Sequence, residues 1–265
     1  ISKSTGLDGM QSRFLRDGAD AIKVPVAHIV NLSITSQTFP SEGKIARVKP
    51  LYKKNSRMEV GNYRPVSILC VLSKIIESTV HEQLYNYLNQ SDLLYELQSG
   101  FRGNYSTDTC LIHLTDYINS NISQGNYTGM VLLDLQKAFD TVDHKILCSK
   151  LKGMGVASVE WFKSYLENRT QYVDINGTLS SPMKVTCGVP QGSILGPLLF
   201  LCYVNDMKIS VSCKLLLYAD DSALVVTGKD PIEISDSLSK ELQNCHKWMV
   251  DNKLSLHLGK TEVIL

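Results

Sequence analysis

The sequence predicts an α+β fold in which an antiparallel sheet is backed by helices, and three observations carry that expectation. "TGMVLLDL", residues 128–135, is an uninterrupted apolar run of strand length, the pattern of a strand covered on both faces. "KLLLYADDSALVV", residues 214–226, reads as a hairpin of two apolar runs meeting at adjacent aspartates. Around these lie segments with apolar residues at helical spacing, such as "LSKIIESTVHEQLYNYL" and "PIEISDSLSKELQNCHKWMVDN".

In chain order, "DGADAIKVPVAHIVNLSITSQTFP" places Ile22, Val26, Ile29, Val30 and Ile34 at helical spacing, with Asp20 as cap and Pro40 beyond the end. "KIARVKPLYKK" and "YRPVSIL" read as strands joined by the polar turn "NSRMEVGN". Ser73 is the expected N-cap of the helix that follows, and another helix spans Asp108 to about Ser120. After the buried strand come helices at "VDHKILCSKLKGMG" and "SVEWFKSYLENR", the first stopped by Gly153 and Gly155. Asn176-Gly177, between strand-like runs, is a hairpin signal. "GSILGPLLFLCYVNDM" reads as a helix, and "KLSLHLGKTEVIL" as a pair of short strands. The second half is thus expected to be a sheet with helices on one face, and a boundary is expected near residue 125, in "SQGNYTG".

The chain has 265 residues, 43% of them hydrophobic, enough for a sizeable core. Its longest apolar stretch, near Ile194 to Val204, is short and broken by Gly196 and Pro197, so no membrane span is expected. "ISKSTGLDGM" lacks an initiator Met and a signal pattern and reads as a segment of a longer polypeptide. Seven dispersed cysteines without a C-x-x-C pair point to reduced, mostly buried thiols in an intracellular protein. His81, His113, His144, His246 and His257 have no metal-ligand or nucleophile spacing. The net charge of +1 hides an asymmetry. Residues 1–75 hold twelve Lys/Arg against five Asp/Glu, and the remainder fifteen against twenty-one. A basic part suits a polyanion and an acidic part suits divalent cations.

Asp220 and Asp221 repel each other at a hairpin tip, and burial raises the cost of ionising both. Asp134 ends a different buried strand. If the two strands are neighbours, three carboxylates meet at one sheet edge and need cations to be stable there. Two Mg2+ ions bridged by carboxylates are the arrangement for in-line displacement at phosphorus, with Mn2+ as a substitute.

"YADD", "VLLDLQKAFDTVDHKIL", "GVPQGSILGPLLF", "NYRPVSIL" and "SGFRGNYST" resemble motifs of reverse transcriptases, and their wording is similar to that of LINE-type retrotransposons, which lack long terminal repeats. "STGLDG" is similar to that group's N-terminal extension and "LSLHLGKTEVI" to its motif D. The resemblance implies a right-hand polymerase, with fingers and N-terminal extension at 1–125, palm at 126–265 and the thumb absent beyond "TEVIL". It implies RNA-directed DNA synthesis with an RNA template, a DNA primer, the RNA–DNA hybrid and dNTPs as partners, no membrane, and a nuclear or cytoplasmic location.

The same resemblance assigns roles. Asp134 and Asp220 would ligate the metals with Asp221 in support, and the Leu135 carbonyl would face the nucleotide metal. Phe139 would lie beneath the incoming sugar and exclude a 2′-hydroxyl. Gln191 and Gly192 would meet the nucleotide, and Lys53 and Arg64 its triphosphate. Gln98, Phe101 and Arg102 would contact template, and Lys260 would protonate the departing pyrophosphate. Two other readings stay open on the residues alone. An RNA-templated RNA polymerase would use Asp140 on a ribose 2′-hydroxyl, and a decayed or co-opted module would bind RNA without polymerising.

Overall fold

The computed structural model describes residues 5–265, so the first four residues of the N-terminal "ISKSTGLDGM" lie outside the described residues. In chain order the elements are α1 (Ser12–Asp17), α2 (Ala19–Thr35), β1 (Ile45–Tyr52), β2 (Tyr63–Ile68), α3 (Val71–Gln90), α4 (Thr107–Ser123), β3 (Tyr127–Asp134), α5 (Ala138–Thr141), α6 (His144–Gly153), α7 (Val159–Leu166), β4 (Arg169–Ile175), β5 (Thr178–Leu179), β6 (Met183–Val185), α8 (Leu195–Val204), β7 (Lys214–Tyr218), β8 (Asp221–Gly228), α9 (Pro231–Asp251) and β9 (Glu262–Ile264). Short 3-10 turns connect several of them. The expected α+β class holds. No helix among the described residues is long and apolar enough to cross a membrane.

Two compact units divide the chain: residues 1–87 with 147–196, and residues 88–146 with 197–265. The expected single boundary near residue 125 therefore falls inside the second unit. The reason is non-local pairing: β1 pairs in parallel with β4, Ile45 opposite Thr170 and Val48 opposite Val173, which binds the 147–196 segment to the N-terminal one.

In the first unit the sheet order is β2-β1-β4-β5, with β6 on β4. β1 and β2 form the expected antiparallel pair, Tyr52 opposite Tyr63. Asn176 and Gly177 both take positive φ, 53° and 90°, and turn β4 into β5 as the Asn-Gly signal predicts. An aromatic cluster makes the core: Phe39 meets Trp161 and Tyr165 edge-on at 5.6 and 5.0 Å, and the Arg169 guanidinium lies 4.9 Å over the Tyr165 ring. Each such ring pair adds about 0.5–1.5 kcal/mol beyond its buried area. Gly18 rather than Asp20 caps α2, and α3 begins at Val71, so Ser73 is a buried first-turn residue donating to the Cys70 carbonyl instead of an N-cap.

In the second unit the sheet order is β7-β8-β3-β9, with every pairing antiparallel. Met130 and Leu132 of β3 and Ala223 and Val225 of β8 pack with Leu114 and Tyr117 of α4 on one face. On the other, Gly129 abuts Ile234 and Leu238 of α9. Helices therefore cover both faces, correcting the expected one-sided layer; the apolar run of β3 requires it, because its side chains alternate between the faces. Asp230 caps α9 by accepting from the Ile232 N–H, with Pro231 as its first residue. The C-terminal pair of strands reduces to β9 alone, preceded by a 3-10 turn at Leu258–Lys260. Of the seven cysteines only Cys202 and Cys245 are buried and Cys187 is exposed, so the thiols are less buried than expected.

Candidate active site

β3 and β8 are in register over their whole length, and the last pair of the ladder is Asp134 opposite Asp221. Alternation along the strands puts both on the face that carries Met130, Leu132, Ala223 and Val225. Asp220 precedes Asp221 in the two-residue turn Ala219-Asp220, closed by the Tyr218–Asp221 pair. Asp134, Asp220 and Asp221, all in the second unit, thus stand at one end of one sheet. Burial, followed by the charges of Asp220 and Asp134, raises the Asp221 carboxyl above its ordinary value, and Lys260 opposes this. The Lys260 ammonium lies 2.5 Å from Asp134 Oδ2. With Asp134 turned to Lys260, no group of three or more His, Cys, Asp or Glu side chains among the described residues converges at metal-holding spacing. The donors are nonetheless hard oxygens, and the excess negative charge felt by Asp221 is what a divalent cation relieves.

The turn is held from behind. Residues 97–99 run parallel to the edge of β7: Leu217 N donates to Leu97 O at 3.0 Å and Ser99 N to Leu217 O at 2.8 Å. Gln98 is 2% exposed, and its Oε1 accepts from the Ala219 N–H at 3.0 Å and from the Gly100 N–H at 2.8 Å. Arg102 donates to the carbonyls of Tyr95 and Gln98 at 3.0 and 3.4 Å and stacks on Tyr105. Both residues thus hydrogen-bond within their own loop, and Gln98 also to the Ala219 turn. Phe101 is 52% exposed, at a left-handed φ of 55°. Ser106 forms a capping box with Thr109 at the start of α4.

Leu135 follows β3 with a buried side chain, bridged to Leu256, and His257 N donates to Asp134 O at 2.8 Å. Phe139, on α5, is half-buried; its ring stacks on Phe200 at 4.6 Å and meets Phe101 edge-on at 5.9 Å. One ring edge is anchored in core while the residue keeps part of its surface.

The first unit carries the other predicted residues. Lys53 and Arg64 are exposed near the tip of the β1–β2 hairpin, where Lys53 N donates to Asn62 O at 2.9 Å and Arg64 opposes Leu51. Arg47 and Lys49 of the same basic run pair instead with Asp174. Gln191 O accepts from Ser67 N at 2.7 Å, so the "VPQG" loop docks on the end of β2. Gly192 has φ +117°, and a Cβ there would lie 2.5 Å from Ser67 O, which explains the glycine.

Sequence reasoning missed Glu77. This α3 residue is fully buried, and its Oε2 accepts from Ile194 N at 2.6 Å and Leu195 N at 3.5 Å, capping α8 just after the "VPQG" loop. Burial raises its carboxyl above 4.5, opposed by the Ile194 N–H and Arg169. Its signal was available: Ser73, Glu77, Val80 and Leu84 share one helical stripe, and a charge on such a stripe demands partners.

Residues 52–265 match the family profile described as "Reverse transcriptase (RNA-dependent DNA polymerase)". The chain belongs to that family. Within it, this reverse transcriptase chain is 32% identical over 264 residues to a probable RNA-directed DNA polymerase from transposon BS of Drosophila melanogaster, covering 94% of this chain and 29% of that protein. It is 29% identical to the RNA-directed DNA polymerase from mobile element jockey of the same organism, covering 94% and 28%. The retrotransposon wording of the motifs is thereby supported, and the chain spans less than a third of the length of these relatives. Among solved structures, telomerase from Candida albicans, in complex with a fragment of telomeric RNA, superposes with TM-score 0.65 at 14% identity, over 90% of this chain and 46% of that one. Apo telomerase from Candida tropicalis gives 0.63 over 86% and 51%. The reverse transcriptase chain therefore has the right-hand polymerase fold.

Proposed function

We propose that this chain supplies the fingers and palm of an RNA-directed DNA polymerase, adding deoxynucleotides to a primer 3′-hydroxyl on an RNA template. One observation carries the reading: the register that sets Asp134 against Asp221, with Asp220 next in the turn, in a chain of the reverse transcriptase family.

Asp134 and Asp220 would hold two Mg2+ ions, with Asp221 and the Leu135 carbonyl in support. Bound there, the ions would supply Lewis-acid stabilisation of the charge that develops at the α-phosphorus. The protein's own groups do the rest. Asp134 and Asp220 fix the position at which the primer hydroxyl and the triphosphate meet. Lys53 and Arg64 neutralise triphosphate oxygens, the arginine through its planar fork. Gln191 and Gly192 line the nucleotide, the glycine allowing backbone approach. The Phe139 ring, braced by Phe200, takes the space of a 2′-hydroxyl. Phe101, exposed, offers a face to a template base. Lys260, released from Asp134, carries a proton for the leaving pyrophosphate.

The test is Mg2+-dependent primer extension on an RNA template by the full-length polypeptide, with dNTPs and rNTPs compared. Extension with dNTPs that is lost in Asp220→Asn supports the reading. Preference for rNTPs would favour an RNA polymerase, and template binding without extension would mark an RNA-binding module; either overturns it.

A further inference from the structure

Ala219 is a non-glycine residue held at φ 58°, immediately before Asp220. The turn has a positive φ at its first central position, where hairpins favour glycine, because a Cβ crowds the backbone there. Such a conformation persists only where the surroundings over-determine it. Here the surroundings are residues 98–100. The Gln98 Oε1 accepts the Ala219 N–H at 3.0 Å, and the same oxygen accepts the Gly100 N–H at 2.8 Å, so one buried acceptor ties the turn to the strand lying beside β7. A Cβ on Gly100 would stand 2.2 Å from Ala219 N, leaving no side-chain space between the two backbones.

We propose that Gln98 is a positioning residue for the catalytic carboxylates: its amide oxygen locks Ala219 in the left-handed conformation and thereby sets where Asp220 stands relative to Asp134. This rests on the polymerase reading above. The chemistry explains the residue type. A neutral amide oxygen has two lone pairs for two N–H donors, whereas a carboxylate would add a fourth negative charge beside Asp134, Asp220 and Asp221. The amide's Nε2 is buried without a hydrogen-bond partner, a cost that singles out the oxygen as the working end. The lever arm is short: the tethered residue, Ala219, is bonded directly to Asp220, and catalytic groups tolerate displacements of only about 0.5 Å.

Gln98→Met keeps the length and removes the acceptor. In primer extension by the full-length polypeptide it is expected to lower kcat at least tenfold, with KM for dNTP and Kd for primer–template within twofold of wild type. Adding Ala219→Gly, which lets the turn adopt its φ without the tether, is expected to recover several-fold of that loss. A merely structural role for Gln98 would give no recovery at Ala219, and a template contact would raise the primer–template Kd with kcat intact; either result overturns the proposal, as does wild-type kcat in Gln98→Met. If Gln98→Met does not fold by thermal unfolding, Gln98→Asn, one methylene short, is measured in the same way, and the same results support or overturn the proposal. Failure of the wild-type protein to extend any primer would instead sink the polymerase reading, which keeps the two failures distinct.

Discussion

Asp134 and Asp221 face each other as the final rung of the β3–β8 ladder, with the Lys260 ammonium 2.5 Å from the Asp134 carboxylate. The β3–β8 ladder ends at this rung, next to the turn that carries Asp220. Charge accumulates there instead of being neutralised by pairing within the sheet. Asp134→Asn is expected to lower primer extension on the order of 10²–10³-fold, the loss typical when one charge-stabilising group is removed. Its thermal midpoint should stay near wild type. Retained extension would remove Asp134 from the site.

Phe139→Val tests the sugar discrimination. Losing a ring stacked at 4.6 Å on Phe200 is expected to increase ribonucleotide incorporation relative to deoxynucleotide, read as the ratio of kcat/KM values for the two substrates. An unchanged ratio would leave Phe139 as a packing residue only.

Gly192→Ala introduces a Cβ at φ +117°, 2.5 Å from Ser67 O. The strain, about 1–3 kcal/mol, is relieved by moving the loop that presents Gln191. The expected result is a several-fold higher KM for dNTP with a lower thermal midpoint. A normal KM in a folded variant would detach this loop from the nucleotide.

Glu77 gives a pH dependence of defined sign. Its folded value is raised above 4.5, so the folded state binds the proton more tightly than the unfolded chain. The stability it contributes is present in acid and is lost as pH rises through the folded value. Glu77→Gln lacks this titration, so the variant's thermal midpoint minus that of wild type should grow from about pH 4 to pH 7. A difference that shrinks over that range would reverse the sign of the shift. Glu77→Ala should be destabilising at every pH, at about 1–3 kcal/mol for each orphaned donor at Ile194 and Leu195.

Arg64→Lys keeps the charge at the β1–β2 hairpin but loses the planar fork. A several-fold rise in KM for dNTP is expected, larger in Arg64→Ala and with kcat less affected, as steady-state kinetics would report. Equal KM values in wild type and both variants would return Arg64 to a solvated basic loop.

Local signals in the sequence were sufficient for β3, β7 and β8, the Asn176-Gly177 turn, the amphipathic helices and the acidic residues that end β3 and open β8, because periodicity and turn chemistry act over a few residues. Glu77, the covering of the sheet by α4, the parallel pairing of β1 with β4, and the seat of Gln98 behind the Ala219 turn were settled only in three dimensions. Each joins residues distant in sequence, and no local propensity encodes which far segment will take up a buried hydrogen-bonding group. The amino-acid sequence by itself singled out Asp134, Asp220 and Asp221 as candidates; tertiary structure decided their register and what holds them there, since a one-residue slip between β3 and β8 would turn one of them to the opposite face.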